Sequence, residues 1–339
     1  MGLIMEKVDG IILYSGGLDS LLSAKILIDQ GLNIIGLHCI LPFMPADIDV
    51  SQLQPTKLAN QIGLKLKFYF CGDDYIEILK NPPHGHGKNI NPCIDCHIYF
   101  IKKAVELMNE LGASFIATGE VVGQRPMSQL KHTLLHIIKE TQLEGRLLRP
   151  LSAKILKPTI AEEEGIVNRE LLFDISGRGR SQQMEMAKKF GIEYKSPGGG
   201  CLFTDPNVSA RIKKLFLHSN SVSSTDIYLT SIGRHFILPN HNRIIVGRHD
   251  AENNILFKYR KHGSLFFAPE FAGPSVIAFG DLTESDREFC ASLIAHYGKW
   301  SLQENKINVY KNETLAEIIE SKKTVIESKI NDYMIKKEV

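Results

Sequence analysis

Six consecutive residues near the amino terminus, Ser15-Gly16-Gly17-Leu18-Asp19-Ser20, have the side chains and spacing of an anion-binding loop. They lie between an apolar run, Gly10–Tyr14, and a helical pattern, so a buried strand should end here and a helix begin. Such a turn directs backbone N–H groups and a helix amino terminus at one point, which favours a phosphate. The glycines allow close approach, the serines add donors, and Asp19 can orient the loop or reach a metal. The alternative is an ordinary capped turn.

Three of the six cysteines lie in polar, Gly- or Pro-rich loops, where a reactive or metal-binding thiol is expected. Cys93 and Cys96 form a CxxC pair at the predicted start of a helix over residues 94–111, and a helix amino terminus lowers the pKa of a thiol. The pair alone fits a redox dithiol, half a zinc site, part of an iron–sulfur site or chance. If Cys201 reaches the pair, three thiols without a fourth ligand fit a cluster or sulfur-transfer site better than structural zinc. The remaining cysteines, Cys39, Cys71 and Cys290, are predicted to be core thiols.

Composition is that of an ordinary soluble protein large enough for two domains. The chain has 339 residues, 43% hydrophobic and 23% charged, with a net charge of +2. We see neither a secretory signal nor an apolar run long enough to span a membrane, so a cytoplasmic protein is expected. The net charge does not decide whether nucleic acid is bound, because a local basic patch matters more than the sum.

The order of apolar runs and helical patterns predicts an α/β protein. Strand-like runs and helices alternate through the first hundred-odd residues, which indicates a doubly wound parallel sheet with ligands at the carboxyl ends of its strands. We predict an α/β domain over residues 1–216, a small β-rich domain over 225–300 and a polar tail over 301–339 that is partly helical from residue 314. In the β-rich domain, residues 228–232 and 255–259 are among the predicted strands. Residues 72–92 are predicted to be an irregular loop in which His84 and His86 are ordinary loop residues.

The Ser15–Ser20 loop and the cysteines together resemble the PP-loop ATP pyrophosphatases, in particular the branch of tRNA-thiolating enzymes that make 2-thiouridine and 4-thiouridine. The shared features are the SGGxDS loop, Pro92-Cys93, Ala117-Thr118-Gly119 and the distant Cys201. Where many members continue Ala-Thr-Gly with His, this chain has Glu120. The resemblance extends over roughly residues 8–216.

The resemblance implies an ATP-dependent tRNA sulfurtransferase. A uridine carbonyl oxygen attacks the α-phosphate of ATP, pyrophosphate leaves, and sulfur then displaces AMP. Asp19 would bind Mg²⁺, and Cys93, Cys96 and Cys201 would hold a [4Fe–4S] cluster or, alternatively, carry sulfur as a persulfide. The residues expected to bind ATP are Ser15, Gly16, Gly17, Asp19, Ser20, Leu37, His38, Thr118, Gly119, Arg149 and Lys154. For Arg149 and Lys154 an ordinary charged surface is an equally good interpretation.

The expected partners are tRNA and a sulfur donor, either sulfide or a persulfide carrier protein, and the protein can be a homodimer. The β-rich domain can bind RNA through its basic and aromatic side chains, although the aromatics can equally fill its core. Two other functions remain open: a PP-loop ligase that uses ammonia, and a nucleotide-binding RNA adaptor without activity. The ligase needs no loop thiols, so the three cysteines disfavour it.

Overall fold

The computed structural model describes residues 7–194, 200–299, 305–320 and 327–336. The chain divides into two compact units, Met1–Cys201 and Leu202–Val339, each of which is described by itself. The boundary lies before residue 216, because the helix over Pro206–His218 belongs to the second unit. Residues 195–199, in the Gly-rich stretch before Cys201, lie outside the described residues.

The amino-terminal unit is built on a five-stranded sheet of order β3-β2-β1-β4-β5. Every neighbouring pair of strands in this sheet is parallel. The strands are β1 Gly10–Leu13, β2 Ile34–Ile40, β3 Lys65–Phe70, β4 Phe115–Thr118 and β5 Leu147–Leu148. The strand order reverses between β1 and β4, so their carboxyl ends border the crevice where open α/β sheets bind ligands. The predicted doubly wound sheet is confirmed.

Helices cover both faces of this sheet. They are α1 Leu18–Ile28, α2 Gln54–Gln61, α3 Asp73–Lys80, α4 Cys93–Leu111, α5 Lys131–Glu140, α6 Ile160–Glu163 and α7 Ser181–Lys189. One apolar core joins α1, α2 and α7 to the sheet, and a second joins α4 and α5 to its other face. Because helices pack on both faces of the sheet, both sides of the central strands are buried. These strands therefore occur in the sequence as apolar runs.

The carboxyl-terminal unit contains a six-stranded antiparallel sheet of order β11-β10-β8-β9-β7-β6. Its strands are β6 Arg234–Ile237, β7 Arg243–Val246, β8 Leu265–Pro269, β9 Val276–Phe279, β10 Lys306–Lys311 and β11 Thr314–Glu320. Its helices are α8 Pro206–His218, α9 Ser224–Thr230, α10 Asp250–Lys258, α11 Glu284–Tyr297 and α12 Glu327–Tyr333. Residues of α9 and α10 pack on one face of the sheet and residues of α11 and α12 on the other. The expectation of a small β-rich α+β domain is confirmed. Its sheet also includes β10 and β11, which lie in the segment 301–339 that was predicted to be a separate tail.

Four local predictions are wrong. Residues 228–232 and 255–259 were expected to be strands but lie largely in α9 and α10, because short apolar runs do not distinguish a strand from a buried helix face. Residues 314–320, expected to be helical, form the edge strand β11, whose side chains are largely exposed and therefore lack a clear apolar alternation. The expected loop over 72–92 begins with α3. Throughout the ranges that the structure describes, no helix is both long enough and apolar enough to cross a membrane.

Candidate active site

The Ser15–Ser20 loop joins β1 to α1 in the predicted way. Gly16 has φ +76°, and a side chain there would approach Pro55 to 2.8 Å, so both backbone conformation and space require glycine. The Gly17 N–H donates to Ser15 Oγ at 3.3 Å, and Ser20 Oγ donates to the Gly17 carbonyl at 2.9 Å. These bonds hold the loop against the start of α1, where the amino-terminal dipole favours an anion.

Gly119, which follows β4, lies directly against the start of α1. A Cβ at this position would stand 2.4 Å from Ser20 N and 2.7 Å from the carbonyl carbon of Asp19. Backbone atoms in a helix cannot move aside as a flexible side chain would, so only glycine permits this contact. The loop after β4 and the Ser15–Ser20 loop are thereby held at the same end of the sheet.

A cavity of about 530 Å³ opens at this end of the sheet. Its volume is that of a site for a small-molecule ligand or nucleotide. Of the residues expected to bind ATP, eight line it: Ser15, Gly16, Gly17, Asp19, Ser20, Leu37, Thr118 and Gly119. His38, Arg149 and Lys154 do not line it, nor do the three loop cysteines.

Asp19 is held by side chains from later in the chain. Gln124 Nε2 donates to Asp19 Oδ2 at 2.6 Å, and Arg180 Nη2 lies 3.7 Å from the same oxygen. The other oxygen, Oδ1, is buried and accepts no hydrogen bond from any residue that the structure describes. A buried carboxylate oxygen without a donor fits a cation ligand, because leaving such an atom unpaired is costly.

Glu120 forms a buried polar network beside the cavity. Its carboxylate accepts hydrogen bonds from Arg149 Nε at 2.9 Å, His97 Nδ1 at 2.7 Å and Thr118 Oγ1 at 2.9 Å. Burial alone would raise the pKa of Glu120, but the Arg149 charge and the hydrogen bond from His97 outweigh it and lower the pKa to about 2. Glu120 is therefore an anion at neutral pH.

Arg149 and Lys154 do not line the cavity, which argues against the expectation that they bind phosphate. Arg149 is only 1% exposed and its charge is directed at Glu120. Lys154 Nζ donates to the carbonyl oxygen of Glu170 at 2.9 Å, on the exposed surface. The cations that do line the cavity are Arg125 and Arg180.

Leu37 and His38, expected near adenine, lie on β2. Leu37 lines the cavity. His38 Nδ1 donates to the Tyr14 carbonyl at 2.7 Å, and its ring packs edge-on against Phe68 with centroids 5.8 Å apart. Burial lowers the pKa of His38, so the ring is neutral and acts as a support behind the loop.

Cys93 and Cys96 occupy the first turn of α4, as predicted. Cys93 is the first helical residue, and its Sγ accepts a hydrogen bond from Asn91 Nδ2 at 3.1 Å. The Cys96 N–H already donates to the Pro92 carbonyl, so Cys96 lies one turn inside the helix. Tyr75 Oη donates to Cys96 Sγ at 3.3 Å.

The expected low pKa is wrong for Cys96. Burial raises the pKa of the Cys96 thiol well above its usual range, and the hydrogen bond from Tyr75 offsets only part of that rise. Neighbouring thiols raise it further: Cys201, Cys71 and Cys93. Cys201 thus acts electrostatically on Cys96, which agrees with the expectation that Cys201 reaches the CxxC pair. Cys96 is a neutral thiol at pH 7 in this arrangement.

The three loop cysteines are not arranged as a metal site. Across the described ranges, no group of three or more His, Cys, Asp or Glu side chains is placed to hold a metal ion. Cys201 is exposed, whereas Cys71 and Cys290 are buried core thiols as predicted. Cys39 differs from that prediction, because it is half-buried and lines the cavity.

The two loop histidines have partners that sequence reasoning missed. His84 Nδ1 donates to Asp95 Oδ1 at 2.7 Å, and its Nε2 lies 2.7 Å from Nε2 of His136. His86 Nε2 donates to the Leu79 carbonyl at 2.8 Å. These bonds fasten the loop before the CxxC pair to α4 and α5.

Several cavity residues were not singled out from the sequence: His97, Phe100, Arg125, Gln129 and Arg180. They lie on α4 and on two loops far apart in the chain, and nothing in their local sequence separates them from an ordinary helix or a charged surface.

Two family models match this chain, one on each side of the middle. Residues 6–162 match the model described as Thiamine biosynthesis protein (ThiI), and residues 233–334 match the NFACT protein RNA binding domain. The matched segments lie within the amino-terminal and carboxyl-terminal units, respectively.

The curated relatives are tRNA-specific 2-thiouridylases named MnmA. That of Sulfurimonas denitrificans is 29% identical over 112 residues, covering 32% of this chain and 33% of the relative. That of Pelotomaculum thermopropionicum is 24% identical over 210 residues, 53% of this chain and 55% of the relative. The chain thus spans between about a third and about a half of the length of these two relatives.

A solved complex of a 4-thiouridine synthetase with RNA and bound ATP is 18% identical over 54% of this chain and 50% of that chain. Its TM-score of 0.33 is too low to support a functional conclusion. The SGGxDS loop and the Ala-Thr-Gly segment lie at the same cavity. This placement agrees with the family match and with the similarity to the MnmA relatives. Residues 6–162 are therefore similar to the Thiamine biosynthesis protein (ThiI) family, and about a third to a half of the chain is similar to tRNA-specific 2-thiouridylases.

Proposed function

We propose that this protein is an ATP-dependent tRNA-thiolating enzyme that adenylates a uridine carbonyl and replaces its oxygen with sulfur. The single observation that carries the proposal is the joint placement of two features in one unit. An anion-binding loop lines a nucleotide-sized cavity, and the Cys93 and Cys201 thiols act electrostatically on Cys96 in the same unit. A PP-loop ligase that uses ammonia would need the first feature only.

ATP would bind with its phosphates on the Ser15–Ser20 loop. The backbone N–H groups of Gly16 and Gly17 and the amino terminus of α1 supply fixed partial positive charge for the α-phosphate, which becomes more negative during attack. Leu37 offers an apolar surface for adenine. The attacking uridine oxygen forms a bond to the α-phosphorus, and pyrophosphate leaves with the electrons of the broken P–O bond.

Asp19 is the residue that would hold Mg²⁺, because its Oδ1 is the buried oxygen without a donor among described residues. The ion, when bound, neutralises charge on the leaving pyrophosphate. The protein's own part is to hold the Asp19 carboxylate in place through Gln124 and Arg180.

We propose thiol-bound sulfur, with Cys201, which is exposed, as the carrier of a persulfide supplied by a donor protein. Its terminal sulfur attacks the activated carbon and AMP leaves with the electrons of the C–O bond. A thiol of the CxxC pair then attacks the inner sulfur, and an external thiol reductant reopens the resulting disulfide. A [4Fe–4S] cluster held by Cys93, Cys96 and Cys201 is the alternative route.

The carboxyl-terminal unit is proposed to bind the RNA. Its strand aromatics Phe236, Phe266 and Phe267 are fully buried and cannot stack on bases. Phe257 at the end of α10 is 49% exposed, and the Arg260 guanidinium lies 4.2 Å from its ring centroid. Exposed aromatic rings beside cations bind unpaired nucleotides by stacking and phosphate contact. The alternation of aromatic and basic residues over 257–261 therefore supports an RNA-contacting segment.

The test is mass spectrometry of tRNA nucleosides from cells that lack the gene. The proposal expects loss of one thiolated uridine, restored by the wild-type gene and not by a Cys201→Ser variant. A full set of thiolated nucleosides in the deletion strain would refute it. Anaerobic purification distinguishes the two sulfur routes: a colourless protein that is free of iron and active supports the persulfide, whereas a brown protein that loses its colour in Cys93→Ala supports the cluster.

A further inference from the structure

Helix α7 and the residue before it contribute to the Asp19 site, although they lie outside both segments matched by family models. Arg180 lines the cavity and approaches Asp19 Oδ2 to 3.7 Å. Gln183 is fully buried, and its Nε2 donates to Gln124 Oε1 at 3.0 Å. Gln124 in turn donates to Asp19 Oδ2 at 2.6 Å. A continuous polar chain thus runs from α7 to the anion-binding loop.

The direction of this chain is dictated by hydrogen-bonding chemistry. An ionised carboxylate can only accept, so the amide nitrogen of Gln124 must face Asp19. The amide oxygen of Gln124 must then face α7, and only the nitrogen of Gln183 can donate to it. Gln183 therefore fixes the orientation of Gln124, and Gln124 fixes that of Asp19.

Burying the side chain of Gln183 carries a free-energy cost. Burying an amide is unfavourable unless its groups are hydrogen-bonded, and Oε1 of Gln183 has no partner within the described ranges. A leucine would pack against the same apolar core of α1 and α7 without that cost. The retained amide is explained if its role is to hold Gln124.

We propose that Arg180 and Gln183 complete the nucleotide site at its polyphosphate end. Arg180 contacts the β- and γ-phosphates, which become the leaving pyrophosphate. Gln183 is a positioning residue that acts through Gln124, keeping Oδ2 of Asp19 occupied so that Oδ1 remains available to the divalent cation that accompanies the polyphosphate. This inference rests on the proposed binding of ATP.

Arg180 belongs at the polyphosphate end because of its neighbours. It stands beside Asp19, the second residue of α1, where the loop glycines and the helix amino terminus bind an anion. Leu37, on β2, offers the apolar surface for the base. A guanidinium at the anion end offers paired donors that match phosphate oxygens.

The experiment measures binding of ATP, AMP and pyrophosphate to the full chain by isothermal titration calorimetry, with and without Mg²⁺. We expect Arg180→Ala to weaken ATP and pyrophosphate by at least about tenfold and AMP by less than about threefold. Arg178→Ala is the matched control, because Arg178 lies in the same loop but is exposed and does not line the cavity. Equal losses for ATP and AMP, or Arg180→Ala behaving like Arg178→Ala, would overturn the role of Arg180.

Gln183→Leu tests the positioning role. We expect its melting temperature to fall by only a few degrees, because Gln124 Oε1 loses its donor while the unpaired Oε1 of Gln183 is removed from the buried site. The Mg²⁺ concentration that half-saturates ATP binding should rise severalfold, while AMP binding without Mg²⁺ stays unchanged. An unaltered Mg²⁺ dependence would refute the positioning role. If the wild-type protein binds neither ATP nor pyrophosphate, the proposed function itself fails. If the wild type binds both and the variants bind them equally well, only the roles of Arg180 and Gln183 fail.

Discussion

The Glu120 network makes a quantitative prediction for the variant Glu120→Gln. The substitution keeps the size of the side chain and removes its charge, so the guanidinium of Arg149, which is 1% exposed, loses its counter-ion. Breaking a buried ion pair by removing one partner costs about 3–5 kcal/mol of folding free energy. In a unit of this size, about 1 kcal/mol corresponds to roughly 2–4 °C in Tm. We therefore expect Tm at pH 7 to fall by roughly 6–20 °C.

The pKa of Glu120 supports the same magnitude independently. It is lowered from the usual 4.5 to about 2 in the folded protein. Each unit corresponds to about 1.4 kcal/mol, so this carboxylate contributes roughly 3 kcal/mol to stability. Because the folded pKa is the lower one, this contribution is fully present above the unfolded pKa and disappears as pH falls toward 2. The difference between wild type and Glu120→Gln should shrink over the same interval.

The assay is differential scanning calorimetry between pH 7 and pH 3, which resolves the transitions of the two units. Glu170→Gln is the matched control, since Glu170 faces Lys154 at 3.8 Å with a side chain 87% exposed. An exposed pair of this kind should change Tm by no more than about 2 °C. If Glu120→Gln melts like Glu170→Gln, or if its deficit grows as pH falls, the account of a buried, charged Glu120 is refuted.

Three further perturbations have clear expected outcomes. Gly119→Ala should lower stability by about 1–3 kcal/mol and weaken ATP binding, because its Cβ meets backbone at 2.4 Å; calorimetry should show no comparable loss for Gly72→Ala, whose nearest contact is 3.8 Å. Iodoacetamide should modify the exposed Cys201 at least about tenfold faster than Cys290, because Cys290 is buried and burial raises the pKa of its thiol. Peptide mass spectrometry measures both rates, and similar rates would contradict the described burial. Phe257→Ala should weaken binding of single-stranded RNA by about 1–3 kcal/mol and affect binding of duplex RNA less. Fluorescence anisotropy measures both affinities, and equal losses for the two RNAs would exclude stacking.

The parallel sheet was predictable because its strands are buried on both faces. Runs such as Gly10–Tyr14 and residues 115–117 are continuously apolar, and the glycines that end the intervening helices mark the connections. The secondary structure of the carboxyl-terminal unit was harder to predict. Its α9 and α10 are short, with apolar residues that pack into a small core from one side, and runs of four or five such residues fit a strand equally well.

The anion-binding loop was predictable because its chemistry is local. Within six residues the sequence contains both the glycines and the hydroxyl groups, and the structure adds only the neighbour, Gly119, that holds them. The charged residues around it were not predictable. Arg149 and Arg180 are alike in sequence, yet their surroundings differ. Arg149 pairs with the buried carboxylate of Glu120, 29 residues away, whereas Arg180 lines the cavity. Such pairing depends on tertiary proximity, which single-residue types do not encode.

Glu120 provides a physical connection between the two parts of the proposed site. It follows β4 next to Gly119, which packs against the anion-binding loop, and it accepts a hydrogen bond from His97, the residue after Cys96 on α4. The carboxylate therefore fixes the first turn of α4 relative to the carboxyl end of the sheet. A change at Glu120 should shift the thiols relative to the nucleotide cavity even where folding survives. A glutamate at this position is thus explained by charge: only an anion can satisfy both Arg149 and His97 in a buried position.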